Sequence, residues 1–288
     1  MSLATPIPVQ RLCVLAQVSR AGFYRWRQAG SPLGTVEDAD IALRDAIQRI
    51  ALAWPCYGWR RITAELHRRG WKVNHQRVLR IMREDNLLCL RRRKFVVTTD
   101  SNHSRKVYPN LAGQMTLSGI NQLWVADITY IRLEMEFVYL AVVIDAFSRR
   151  VIGWALDRTV EDDLTLTALR MALEVRRPSA GLVHHSHRGS QYASGDYTDL
   201  LKANGCQISM SHKASPWENA GCESWRKTLK CEEVYRQEYR NLAEARGSIE
   251  RFIEKVYNQQ RLHSALGYCP PAEFERALLA RAAAGVRS

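Results

Sequence analysis

The sequence contains no run of 18 uninterrupted apolar residues, which excludes an ordinary membrane-spanning helix. It opens "MSLATPIPVQRLCVLAQVSR", a short apolar patch without the layout of a secretory leader, so the chain reads as cytoplasmic with no membrane partner. Its seven cysteines are odd in number, scattered, and form no C-x-x-C pair. That pattern excludes a zinc ribbon and a disulfide framework. Net charge is nearly missing from residues 111–288, which carry 22 Lys+Arg against 21 Asp+Glu. Residues 1–110 carry 20 against 8, so almost all of the formal charge of +13 lies in the first third. A basic module joined to a neutral remainder fits a polyanion partner. Nucleic acid suits it better than a lipid surface, because the helices lack the strongly apolar face of an interfacial anchor.

What is present is enough for two cores: 288 residues, 46% of them hydrophobic. In the basic third, "TVEDADIALRDAIQRIALA" repeats Ile41, Leu43, Ile47 and Ile50 at roughly helical spacing. "YGWRRITAELHRRG" places Ile62 and Leu66 four apart and stops at Gly70; "NHQRVLRIMREDNL" opens on Asn74, a good N-cap. Val78, Ile81 and Met82 form its inward stripe, leaving Gln76, Arg77, Arg80 and Arg83 largely outside. Two short helices across a tight turn of three or four residues form a helix-turn-helix, whose second helix would enter a major groove. The plainer alternative is a basic helical hairpin with solvated arginines. Arg91, Arg92, Arg93 and Lys94 read as a phosphate-contacting strap. The expected division is an N-terminal helical segment at 1–35, the helix-turn-helix at 36–95, a linker at 96–118, and a second domain at 119–280.

From Asn121 the texture becomes that of strands. "LWVADITYIRL", "EFVYLAVVIDAF" and "VIGWAL" are joined by short turns and predict an antiparallel meander. A helix follows from Leu164 to about Val175, then a strand in "AGLVHHS", a helix in "DYTDLLKANGC" and a strand in "QISMS". This order predicts an α/β domain with a mixed sheet. An acid inside an apolar strand is costly unless paired or bound to a cation, so Asp127 marks a site. Asp145 lies next to a turn, where capping explains it as well as chemistry does. Further on, Ser215, Pro216 and Glu218 predict a capping box and a helix from 216 to about 230. Glu223, Lys227 and Lys230 share one face of that helix, either as a surface ion pair or as an acid with cations set for phosphates.

Taken together, "VSRAGFYRW", "YGWRRITAELHRRGWKVNHQRVLRIMRE", "LWVADITYI", "VVIDAFSRRVIGW", "HHSHRGSQYAS", "SMSHKASPWENAGCESWRKTLK" and "YNQQRLHSALGYCPPAEFE" span nearly the whole chain. In this order they resemble the second-frame (OrfB-type) transposase of bacterial insertion sequences, with an integrase catalytic core. The resemblance implies a ribonuclease-H-like core, a mixed five-stranded sheet flanked by helices, preceded by the small helical domain. It also implies an Asp, Asp, Glu triad holding two Mg2+ ions for DNA cleavage and strand transfer. The first acid falls on Asp127 and the Glu on Glu223. The second Asp, 36 positions before that Glu, falls on His187. The resemblance further places Lys213, Lys227 and Lys230 on DNA near the scissile phosphate. Its partners are double-stranded DNA (terminal inverted repeats and target), further copies of the chain, and an upstream first-frame protein.

Magnesium wants oxygen ligands, and a neutral imidazole offers one softer nitrogen and no charge. His187 therefore predicts impaired magnesium-dependent activity. Manganese at His187, Asp145 as a substitute ligand, or zinc shared by His185 and His187 are the conceivable rescues. The alternative is an inactive DNA-binding remnant that occupies transposon ends or inhibits.

Overall fold

In the computed structural model, residues 8–28, 33–88, 107–212 and 215–285 are described. Arg91, Arg92, Arg93, Lys94 and Lys213 lie outside them. The chain divides into two compact units, Met1–Cys89 and Leu90–Ser288.

The described residues of the first unit are all helical in their regular structure: α1 (Val9–Leu15), α2 (Arg20–Gln28), α3 (Leu33–Ala53), α4 (Trp59–Arg68) and α5 (His75–Glu84). Leu43, Ile47 and Ile50 of α3 meet Ile62 and Leu66 of α4 and Val78, Ile81 and Met82 of α5 in one buried core. Ile41 does not join them and is 64% exposed, because it lies two residues from Leu43 and so on the far side of the helix. The Asn74 side chain accepts from the Gln76 amide at 2.8 Å, as an N-cap should. The connection between α4 and α5 is longer than a tight turn. It runs from residue 69 to residue 74, passes through Gly70 at φ +84°, and buries Val73, whose carbonyl is 2.8 Å from His67 Nε2. Ion pairs bind α3 to both ends of α5: Asp40 takes Arg77 near its start, and Arg44 takes Glu84 and Asp85 at its end.

The second unit is built on a sheet of five strands: β1 (Leu123–Arg132), β2 (Phe137–Asp145), β3 (Val151–Asp157), β4 (Val183–Ser186) and β5 (Gln207–Met210). Their order is β3-β2-β1-β4-β5, with the first three antiparallel and β1, β4 and β5 parallel. Helices α6 (Asp162–Arg176) and α7 (Gly195–Ala203) cover one face. The other is covered by α8 (Ala220–Glu232), α9 (Leu242–Arg251) and the π-helical turn Phe252–Tyr257, before the last helix, α10 (Pro271–Gly285). Alternation along β1 serves both faces: Trp124 and Ala126 pack toward α6 and α7, while Leu123, Val125 and Ile131 pack toward α8 and α9. This is the mixed five-stranded, ribonuclease-H-like core.

In the second unit two further features differ from the sequence expectation. Part of the linker is bound to the core: Leu111 donates to Ser209 Oγ at 2.9 Å, and Leu111, Met115 and Leu117 pack against the sheet. The helix expected from residue 216 begins with a 3-10 turn, Pro216–Asn219, and α8 proper starts at Ala220. Glu218 does not close a box on Ser215; its carboxylate reaches the amide of His212 at 2.6 Å and its Nδ1 at 2.8 Å.

Distant residues fasten the C-terminal part. The Asn258 amide accepts from Val151 N at 3.0 Å and donates to Val151 O at 2.9 Å, pairing both backbone groups at the start of edge strand β3. Glu275, 3% exposed, takes Arg150 at 2.8 Å and also Arg176. Phe274 rests on Phe147, with ring centroids 5.7 Å apart.

Candidate active site

Asp127 lies on the face of β1 that carries Val125 and Ile131, the face α8 covers. Parallel pairing of β1 and β4 runs up to Ala126 opposite Ser186. The next residues in register are Asp127 and His187, where the strands part. His187 Nε2 is 3.9 Å from Asp127 Oδ1, and its Nδ1 is 3.1 Å from Ser211 Oγ, just beyond β5. Helix α8 is fixed beside them by its sequence. The Asn219 amide donates to Ala126 O at 3.0 Å, and Cys222, Trp225 and Leu229 are buried against the sheet. That apolar stripe leaves Glu223, Arg226, Lys227 and Lys230 on a neighbouring stripe at i, i+3, i+4 and i+7. Glu223 Oε1 is 3.2 Å from Lys227 Nζ, and its other oxygen takes Arg226. Lys230 Nζ sits 4.1 Å from the centroid of the Tyr130 ring.

These side chains share one field. Burial pushes the Asp127 carboxyl above the ordinary carboxylate range; His187 and Arg226 pull it down, and Glu223 pushes it further up. Burial lowers Lys230, helped by Arg226 and opposed by Asp127 and Glu223. The structure thus gathers Asp127, His187, Glu223, Lys227 and Lys230 at one end of the sheet. Arg226, Ser211 and Tyr130 join them without having been marked by the sequence pattern. For Arg226 a signal is present, since it stands three residues from Glu223 on the same helix.

Asp145, read from the sequence as a turn carboxylate or a substitute ligand, makes the contacts of a turn carboxylate. Fully buried, it pairs with Trp124 in register, three residues from Asp127 along β1. Its Oδ1 accepts from the amides of Phe147 (3.0 Å) and Ser148 (2.9 Å) and from the Ser148 hydroxyl (3.2 Å). Its Oδ2 accepts from Asn121 N at 2.7 Å. These bonds are what a turn carboxylate makes. The histidine run divides likewise. His184 Nε2 is 3.1 Å from the Tyr197 hydroxyl on the α7 side, and His185 Nδ1 is 2.8 Å from Ser209 Oγ. Burial, aided by a neighbouring histidine in each case, lowers His184 to about 3 and His185 to about 4, so both are neutral core residues at pH 7. In the first unit, Gln76, Arg80 and Arg83 are exposed on α5 and Arg77 is half-buried. Arg77 and Arg80 both face Asp40, Arg80 at 3.7 Å.

The donor set does not fit a pair of magnesium ions. It offers two carboxylates and an imidazole where hard cations want oxygens, and two side-chain cations already hold the Glu223 carboxylate. Among the described residues, no three His, Cys, Asp or Glu side chains form a group able to hold a metal ion.

Three family models match: an integrase core domain over residues 118–216, a second integrase core model over 204–271, and an HTH-like domain over 37–95. The chain is 39% identical over 264 residues to an uncharacterized 31 kDa protein of insertion element IS600 from Shigella sonnei. That match covers 91% of this chain and 97% of the relative. It is 34% identical to the transposase InsF for insertion sequence IS3A of Escherichia coli K12, covering 94% of this chain and 95% of that one. Among solved structures, the HTLV-2 integrase catalytic core domain in complex with magnesium aligns at 16% identity and TM-score 0.42. That alignment covers 54% of this chain and 97% of that one. Among the described residues, no helix is long and apolar enough to cross a membrane.

Proposed function

Because the chain belongs to the integrase-core transposases of bacterial insertion sequences, of the IS3 and OrfB kind, we propose that it acts on the DNA ends of such an element. Its task is to hold terminal inverted repeats and, as a full-strength enzyme, to cut them and join them to target DNA. The residues at work are Asp127 and Glu223, with His187 in the place of the second acid. The observation that carries the reading is the position of His187. It stands against Asp127 with its ring nitrogens directed at that carboxylate and at Ser211. An imidazole there withholds a charge and a hard oxygen, so magnesium-dependent cleavage is impaired, and manganese, which accepts nitrogen ligands, is the better cation for this copy.

Grip on DNA comes from two places. Gln76, Arg77, Arg80 and Arg83 on α5 serve the terminal repeats, with Arg91, Arg92, Arg93 and Lys94 after it. Lys213, Lys227 and Lys230 serve the strand being cut. Copies of the chain associate on paired ends, and an upstream first-frame protein is a further partner. The pairing of Glu223 with Arg226 and Lys227 favours a second reading, a DNA-end binder without catalysis that blocks assembly of active copies.

The test is cleavage at the 3′ ends of the element's terminal duplex, with magnesium and with manganese, for the unaltered chain and for His187→Asp. The expected result is little cleavage with magnesium by the unaltered chain and a gain of at least about 100-fold on substitution, the scale of one well-placed electrostatic group. Robust magnesium-dependent cleavage without the substitution would sink the impaired reading. No gain from His187→Asp would show that position 187 is not the missing ligand.

A further inference from the structure

The polar stripe of α8 carries one acid and three bases, and its least expected member is Arg226. Its guanidinium holds Glu223 and lies within electrostatic reach of Asp127 and of Lys230, one turn further along. It is 31% exposed, so a second partner can reach it without the helix moving. A guanidinium that grips a carboxylate is also suited to a phosphate, since both groups present paired oxygens. Lys227, 69% exposed, holds the other oxygen of Glu223, so the acid's two oxygens are divided between two cations. Losing Arg226 leaves the carboxylate with Lys227 in a partly exposed site, where water takes the freed place at low cost.

We propose that Arg226 is a DNA-backbone contact, and that Glu223 and a backbone phosphate compete for its guanidinium. Without DNA, Glu223 holds Arg226. With DNA, the phosphate takes it and the carboxylate turns to water. The exchange needs no metal ion. It rests on the DNA-end reading above and adds to it a residue and a competition.

The test is duplex binding by fluorescence anisotropy on the full chain in EDTA, at several salt concentrations, for four proteins: unaltered, Arg226→Ala, Glu223→Gln and the double variant. Arg226→Ala is expected to weaken binding about 5- to 10-fold. It should also reduce the slope of log affinity against log salt by about 1, as one phosphate goes unneutralised. Glu223→Gln is expected to tighten binding about 3- to 10-fold by freeing the guanidinium. In the Arg226→Ala background that gain should shrink at least about threefold, the signature of two groups that touch directly. An equal gain in both backgrounds means only long-range charge and overturns the competition. An unchanged salt slope in Arg226→Ala overturns the phosphate contact. Arg226→Lys keeps the charge but loses the forked guanidinium, so it should keep the salt slope of the unaltered chain and recover part of the affinity; a slope as low as that of Arg226→Ala, with an intact fold by circular dichroism, assigns Arg226 to packing and overturns the proposal. If the unaltered chain binds no duplex in EDTA, the DNA-end reading falls as well.

Discussion

Replacing Asp145 decides whether this buried acid holds a turn or serves chemistry. The carboxylate has no exposed surface and accepts from three backbone amides and one hydroxyl, at 2.7–3.2 Å. In Asp145→Asn one oxygen is exchanged for an NH2 group. If the remaining oxygen keeps the amides of Phe147 and Ser148, the NH2 faces the N–H of Asn121, donor against donor. Losing one charge-assisted bond and leaving a buried donor unsatisfied costs about 2–3 kcal/mol. Asp145→Ala removes all four accepted hydrogen bonds; part of that is offset because no charge is left to desolvate, and about 3–5 kcal/mol remains. With a urea dependence of roughly 2 kcal/mol per M, the midpoints should fall by about 1 M for Asn and about 2 M for Ala. Urea titration read by hydrogen exchange in peptides covering 137–157 isolates this unit from the N-terminal helices. If Asp145→Ala melts within about 0.3 M of the unaltered chain, the carboxylate does not hold the turn. An unchanged midpoint together with abolished manganese binding would make Asp145 a ligand after all.

Three further predictions concern the same core. His184 is held neutral with its pKa at about 3, whereas in the unfolded chain it titrates near the ordinary histidine value of 6.5. Its stabilisation is complete above 6.5 and is lost as pH falls toward 3, about 2 kcal/mol of it by pH 5. His184→Gln should flatten that share of the pH dependence in denaturation curves at pH 7 and pH 5, and an unaltered pH dependence refutes it. Asn258→Ala leaves the amide and carbonyl of Val151 unpaired and should cost about 2–4 kcal/mol, seen as a lower melting temperature and faster exchange at Val151. Burial pushes Glu275 up, but bonds from Arg176, Ser148 and Arg150 outweigh it and hold it below the usual carboxylate range. Its contribution is therefore present above its unfolded pKa and lost in acid. Glu275→Gln should cost about 3 kcal/mol at pH 7 by calorimetry, and much less at pH 3.

The strands are legible in the sequence because their apolar periods are strong and their turns short. Asp127 is legible because an acid in an apolar strand has few innocent explanations. Position 187 emerges only through the family resemblance, which sets it 36 positions before Glu223, and not from the two neighbouring histidines, which are core residues. Local pattern fails where a bond joins distant positions. Asn258 meets Val151 across 107 residues, and Glu275 meets Arg150 across 125; neither residue carries a sign of that in its own neighbourhood. Glu218 misleads for another reason. A serine three residues before a glutamate suits a capping box, but a better donor, the His212 amide, lies within the same loop. Ile41 misleads because a hydrophobic residue near a stripe is easily counted as part of it.

The pairing of Asn258 with Val151 also bears on how the chain is made. Strand β3 leaves the ribosome while the residue that closes its first backbone pair is still 107 residues from being added. At roughly 5–20 residues per second, that interval is on the order of 5–20 s. Throughout it the rim of the sheet at Val151 has no partner, and an open rim pairs readily with another of its kind. Neighbouring chains growing on one message are thus exposed to each other at Val151, and the arrival of Asn258 is what closes that place.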